Sequence, residues 1–182
     1  MLEAIVFTVV TAAFAYISRD SLRAPKSHGF YRFFAWELML VLVVLNLNGW
    51  YDDPGTFDQT VSGVLMGISL VLVVVGYQSL HQFGRRDDNR NEEPLLIFEK
   101  TTVLVTSGIF RFIRHPMYSS LIFLDWGLFF KKTSWLTGNV ALVACVLLVM
   151  TALAEERENT RYFGANYQEY MKRTRRFLPF LI

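Results

Sequence analysis

The fold class predicted by the sequence is an all-α integral membrane protein with about five transmembrane helices and a helical C-terminal segment on the cytosolic side. Three observations predict it. Of 182 residues, 53% are hydrophobic and 15% aromatic, and mean hydropathy is positive. The apolar residues gather into long runs rather than scattering. The basic residues fall in alternate connections between those runs. The length fits one domain. A net charge of +2 decides little, but the placement of the 18 Lys and Arg argues for membrane orientation and against a nucleic-acid partner. Cys145, the single cysteine, excludes an internal disulfide, and His28, His81 and His115 lie in separate segments without ligand spacing, so no metal site is expected.

Leu2 to Ile17 lacks a positively charged leader and reads as a retained first span. Ser18 to Arg32 reads as a basic loop in which Pro25 and Gly29 break any helix. Phe33 to Trp50 is the second span, with Glu37 towards one end and Asn46 and Asn48 towards the other. Tyr51 to Gln59 is an acidic turn. Thr60 to Leu80 is the third span, with Gly63 and Gly67 at the spacing that lets helix backbones approach, and a packing role is expected for them. His81 to Lys100 turns polar and reads as a solvated loop. Met117 to Phe130 is a short fourth span carrying Asp125, which faces either a wet cavity or a neighbouring helix. Ser134 to Ala154 is the fifth, and its helix is expected to run on through Glu155 and Glu156 to a stop at Gly164. A short amphipathic helix, Tyr167 to Arg173, follows. The chain accordingly divides into N-terminal spans and loops, 1–101, and a core, 102–182.

Sixteen of the 18 basic residues sit in the first and third connections and the C-terminal segment, leaving only Lys131 and Lys132 elsewhere. Five spans with the N-terminus outside and the C-terminus in the cytosol satisfy that bias. The two stretches richest in chemistry then share one face. In the first, Thr106 to Tyr118, Pro116 presets the start of a helix and leaves main-chain N–H groups unpaired beside Arg111, Arg114 and His115. This suits an anionic or oxygen-rich ligand group, or else an anchor at the lipid headgroups. The second holds Glu155 and Glu156, disfavoured by the dipole of the helix they end. They either pair with Arg157, Arg161 or Arg111, or bind a ligand's amino or hydroxyl groups. No nucleophile elbow, P-loop or dinucleotide glycine fingerprint is present.

Leu104-Val105-Thr106-Ser107-Gly108, Arg114-His115-Pro116 with Tyr118, Glu155-Glu156, Tyr162-Phe163-Gly164 with Tyr167, Tyr170 and Arg173, and Leu178-Pro179-Phe180 resemble, in order and spacing, the C-terminal core of the isoprenylcysteine carboxyl methyltransferase family. The resemblance runs from Val103 to Ile182. It implies a multi-span membrane enzyme that transfers a methyl group from S-adenosylmethionine to a lipophilic or amphiphilic acceptor reaching it from the bilayer. The acceptor is an isoprenylcysteine-like carboxylate, a phospholipid amine or a thiol. It also implies cofactor contacts at Thr102, Val103, Leu104, Val105, Phe110, His115, Pro116, Met117, Tyr118 and Glu155, with His115 and Glu155 the candidates for a role in the transfer itself. Thr102 and Val103 depart from the family's usual residues, Phe110 stands where a tyrosine is usual, and Thr151 where the prenylcysteine enzymes carry a substrate-holding arginine. A weaker likeness to the sterol reductase family would imply a nicotinamide cofactor instead, and a non-enzymatic membrane scaffold is the third reading.

Overall fold

Helices α1 (Leu2–Ile17), α2 (Arg19–Leu22), α3 (His28–Asn46), α4 (Phe57–Phe83), α5 (Pro116–Phe129), α6 (Trp135–Phe163) and α7 (Ala165–Arg173) make up the computed structural model, which describes residues 1–47, 50, 55–84 and 103–179. A 3-10 turn, Gly108–Arg111, precedes α5, and no strand occurs among the described residues. Each of the five apolar runs is helical. Among the described residues, however, only α3, α4 and α6 are suited by length and composition to cross a membrane. At 1.5 Å per residue α1 is about 24 Å long and α5 about 21 Å, both short of a hydrocarbon core of roughly 30 Å.

The helix limits follow local chemistry. Ser27 caps α3, its side chain accepting from Phe30 N at 3.2 Å, so the helix opens at His28 rather than at Phe33. Gly29 therefore does not break a helix. It lies in the first turn, where a Cβ would come within 2.3 Å of Ser21 Oγ, so its bareness lets α2 approach. Arg32, expected in a basic loop, is consequently buried within α3. Thr56 caps α4, which places Asp58 and Gln59 in a first turn rather than an acidic loop, and the helix keeps His81 to Phe83 at its other end. The rest of the expected acidic turn and polar loop, 51–54 and 85–100, and Asn48 lie outside the described residues. A reciprocal cap between Ser134 and Thr137 starts α6, and Gly164, at φ 58°, ends it where the sequence predicts.

Helix α6 is the spine of the fold. Helix α3 runs antiparallel along it: His28 meets Glu158, Ala35 and Met39 pack with Ala144 and Leu148, and Leu42 packs with Ala141. Helix α1 lies on the outer side of α3 through Thr11 Oγ1 donating to Glu37 Oε2 at 2.8 Å and Phe14 against Trp36. Helix α5 packs on both α6 and α4, whereas α3 and α4 make no extended contact with each other. Towards the end of the bundle where α5 finishes, buried polar side chains join helices by main-chain acceptors, with Asn46 Nδ2 donating to Leu128 O at 3.1 Å and Ser62 Oγ to Gly127 O at 2.8 Å. Outward-facing Val64, Leu70, Val71 and Val74 on α4 and Leu142, Val143 and Val146 on α6 leave the bundle an apolar coat fit for lipid.

The close helix approach is not where the glycine spacing put it. Nothing lies within 4 Å of a Cβ added at Gly63 or Gly67, whereas one at Gly127 would meet Met66 Cγ at 2.9 Å and the α4 backbone at 3.4 Å. Gly127→Val is therefore expected to cost about 1–3 kcal/mol by prising α4 from α5, read as a lower melting temperature in detergent. Gly67→Ala, measured alongside, is expected to cause no loss.

Candidate active site

Val105 to Tyr118 crosses from the end of α4 to the start of α5 and is tied down by main-chain and side-chain bonds. Gly108, at φ 63°, lies against Ser79, whose hydroxyl accepts from Ile109 N at 3.4 Å. Tyr170 of α7 donates its hydroxyl to Phe110 O at 2.7 Å. Beyond the 3-10 turn the chain runs parallel to the C-terminal segment as a short bridge. Arg175 N donates to Phe112 O at 3.0 Å, Arg114 N to Arg175 O at 2.8 Å and His115 N to Arg176 O at 3.1 Å. The Ser119 hydroxyl sits 2.9 Å from His115 O and 2.8 Å from Phe177 O, fastening the first turn of α5 to the same segment.

At the centre of this knot lies Glu156. Its carboxylate accepts from Arg114 Nε at 2.9 Å and from Arg176 Nη2 at 2.8 Å, with side-chain exposures of 5% for Glu156, 8% for Arg114 and 26% for Arg176. Arg114 spends its other donors on Thr174 O at 2.5 Å and Met171 O at 3.2 Å. Burial by itself would raise the Glu156 carboxyl, but His115, Arg176 and Arg114 overcome it and hold the group well below the usual carboxylate range. Burial and the nearby carboxylates push the Tyr167 phenol up, and burial does the same for Tyr170, so both stay protonated. The partners of Glu156 are thus Arg114 and Arg176, not the Arg157, Arg161 or Arg111 considered from sequence. Arg111 instead lies over the Phe112 ring, 5.7 Å from its centroid.

Glu155, the next residue, faces a cavity of about 390 Å³, inside the roughly 300–1,000 Å³ range of small-molecule sites. Leu104, Val105, Phe110, His115, Pro116, Met117, Tyr118 and Glu155, all anticipated as cofactor contacts, line it together. Val103 does not, and Thr102 lies outside the described residues. His115 Nδ1 is 3.8 Å from Glu155 Oε2, and the ring is stacked on Tyr118 with centroids 5.5 Å apart. Its Nε2 approaches Glu156 Oε1 to 3.5 Å outside hydrogen-bond geometry, and is a buried nitrogen with no hydrogen-bond partner among the described residues. No side chain caps the start of α5, where His115 is the N-cap residue and Pro116 opens the helix. Asp125 is wholly buried and does not line the cavity, so of its two expected places the one between helices is the one it takes. No cluster of metal-ligating residues occurs among the described residues, and Cys145 is free.

The far wall of the cavity was missed in the sequence. His28, Arg32 and Trp36 of α3 line it beside Glu155, Glu158 and Asn159 of α6. His28 donates its main-chain N–H to Glu158 Oε1 at 2.8 Å and pairs its Nδ1 with Glu158 Oε2, closing α3 onto α6. The Ser27 cap was the signal that could have found this wall, because it brings His28 and Arg32 into a helix.

The family model for phospholipid methyltransferases matches residues 57–166, from the start of α4 to the start of α7 and well over half of the chain. The chain belongs to the phospholipid methyltransferase family. It is a membrane methyltransferase, in the group that also holds the isoprenylcysteine-type enzymes whose motifs it resembles. No characterised protein and no solved structure matched the chain. Helix α3, and so His28, Arg32 and Trp36, precedes the matched region.

Loss of one partner from so buried a carboxylate is expected to cost about 3–5 kcal/mol, so Arg114→Gln lowers the melting temperature sharply, and Arg176→Gln, whose side chain is a quarter exposed, less. Because the folded-state affinity of Glu156 for a proton is depressed, its contribution is full above the ordinary value near 4.5 and fades as pH falls below it. Unfolding followed from pH 7 to pH 3 is expected to show a loss of stability for the native chain that Glu156→Gln flattens.

Proposed function

We propose that this membrane methyltransferase uses S-adenosylmethionine and passes its methyl group to an amphiphilic acceptor that arrives from the bilayer. The observation that carries this reading is the meeting of the uncapped α5 start, His115 and Tyr118 with Glu155 in one cavity, built by segments far apart in the sequence. The residues suit such a nucleoside. Unpaired N–H groups at a helix start bind anionic oxygen, Glu155 keeps acceptor capacity for an amino or hydroxyl group, and the Phe110, Tyr118, Tyr162 and Tyr167 rings offer faces to a base and to a cation. Held by these residues, the cofactor would supply an already activated methyl group for the acceptor's lone pair, the carbon–sulfur bond breaking to leave a neutral thioether. The task of the chain is then to align and to keep water out, which is worth several powers of ten in rate. His115 and Glu155 serve by positioning. The acceptor chain enters through the gap between α3 and α4, over Trp36, Val73 and Leu121. The distribution of basic residues supports a cytosolic position for this end of the bundle, with the N-terminus outside. Membership of the methyltransferase family favours this reading over a nicotinamide-dependent reductase or a scaffold.

Titration calorimetry of S-adenosylmethionine into the purified protein is expected to show saturable binding that Glu155→Gln weakens about tenfold or more. Absence of binding to the native chain would falsify the cofactor assignment. Incubation of membranes with methyl-labelled cofactor, then separation of lipid from protein, identifies the acceptor class.

A further inference from the structure

On the side of α6 turned away from Glu155, a second hollow opens between α3, α6 and α7. It is an open groove of about 680 Å³ whose walls include Tyr31, Met150, Leu153, Arg157, Arg161 and Met171. Met150, Leu153, Arg157 and Arg161 follow one another at spacings of three and four residues, so they share one side of the helix, about 150° round from Glu155. Val146 and Val143 continue the same stripe into the apolar part of α6, and they are exposed, as are Met150 and Leu153. The stripe is therefore greasy along its length and cationic at its end.

The protein leaves that charge unanswered. Arg157 and Arg161 are both exposed, and neither takes part in an ion pair or a hydrogen bond among the described residues. Glu156, the one carboxylate among the described residues of the groove wall, is already taken up by Arg114 and Arg176. Two cations four residues apart on a helix repel each other. The negative end of the α6 dipole favours Arg161, which lies in the last turn, but that effect has faded by Arg157. Depth supplies the missing partner. Trp135, 92% exposed, marks the opposite end of the span, and at 1.5 Å per residue Arg157 and Arg161 stand about 33 Å and 39 Å from it along the helix. A hydrocarbon core of roughly 30 Å within a bilayer of roughly 40–45 Å puts both guanidinium groups in the headgroup layer.

We infer that this groove is a binding site for an anionic phospholipid, with the phosphate between Arg157 and Arg161 and an acyl chain laid along Leu153, Met150, Val146 and Val143. Two guanidinium forks suit phosphate oxygens, and Tyr31 stands where tyrosine is favoured at a membrane surface. The site is distinct from the cavity and depends on neither the cofactor nor the methyl acceptor. Arg161 alone lines both hollows, so Arg157 is the residue that reports on the groove by itself. Occupied, the groove ties α3 and α7 to the same stretch of α6 that presents Glu155 to the cavity.

The test uses the full chain, stripped of lipid in detergent at low ionic strength, and three probes: dioleoyl phosphatidylglycerol, dioleoyl phosphatidylcholine and inorganic phosphate. Native mass spectrometry is expected to show the anionic lipid held roughly 10-fold or more tighter than the zwitterionic one with the same chains. Added salt should shrink that preference. Arg157→Gln should cut it severalfold, and Arg157→Gln with Arg161→Gln should abolish it. Lys172→Gln, at an exposed cation outside the groove, should leave it intact. Equal retention of the two lipids by the native chain, or a preference that survives the double variant, overturns the site. Displacement of the anionic lipid by millimolar inorganic phosphate would make the groove a site for free anions and overturns the assignment to a lipid. Both arginines are exposed, so the variants are expected to melt with the native chain in lipid-free detergent. Should the double variant not fold, Arg157→Gln alone decides, and an unchanged preference in it sinks the proposal.

Discussion

A carboxylate held between two guanidinium groups fixes the geometry on which the site depends. Glu156, near the end of the longest helix, draws in Arg114 from the segment before α5 and Arg176 from the segment after α7. Burying three charges is costly, and it is tolerated only where nearly every donor and acceptor is used. Here Arg114 also satisfies Met171 O and Thr174 O, and the two segments share a short main-chain bridge. The result is a rigid floor. It sets the direction in which Pro116 starts α5, and with it the orientation of the His115 ring over Tyr118.

The floor would be of little use without the wall facing it. Helix α3 closes against α6 by a polar latch at one end, His28 with Glu158, and by an apolar seam of Ala35, Met39, Ala144 and Leu148 beyond it. Small residues along that seam let the two helices approach. Over α5, by contrast, α3 and α4 stay apart, and the space between them is the cavity. A bundle that packs tightly on one side of its spine and loosely on the other thus has a chamber that is polar at one end and greasy at the other. This is the profile that the proposed reaction between a charged nucleoside and a lipid requires.

Much of this could be read from the chain. The run from Thr106 to Tyr118, the Pro116 start, the passage of α6 beyond its apolar part to Gly164, and the convergence of Glu155 with His115 all follow from local chemistry or from a spaced motif. What could not be read was pairing across helices. Periodicity shows which face of a helix is apolar but not which residue of another helix it meets, so the arginines considered for Glu156 are not the ones it pairs with, and the packing role expected of Gly63 and Gly67 belongs to Gly127. The wall of α3 was lost for a more avoidable reason. Pro25, Gly29 and the cluster of basic residues carry the composition of a loop, but the Ser27 cap overrules them and opens α3 at His28.

Adjacent residues on a helix point about 100° apart, and that turn divides the labour of the two glutamates. Glu156 faces away from the cavity into the arginine knot and has no capacity left for a ligand. Glu155 faces the cavity, with Asn159 Nδ2 at 3.5 Å and His115 Nδ1 at 3.8 Å from its oxygens. Were both carboxylates in the cavity, their charges would repel each other beside the C-terminal dipole of α6, and one would be driven to take up a proton. Were both in the knot, the cavity would hold no acceptor for a cationic or hydroxyl-bearing ligand at this level. Placing one in each sets Glu155 beside a floor whose own carboxylate is already taken up by Arg114 and Arg176, so a ligand's amino group meets one carboxylate rather than two. The doubled glutamate is thus a structural anchor and a binding group set side by side, and the rigidity of the first is what gives the second its aim.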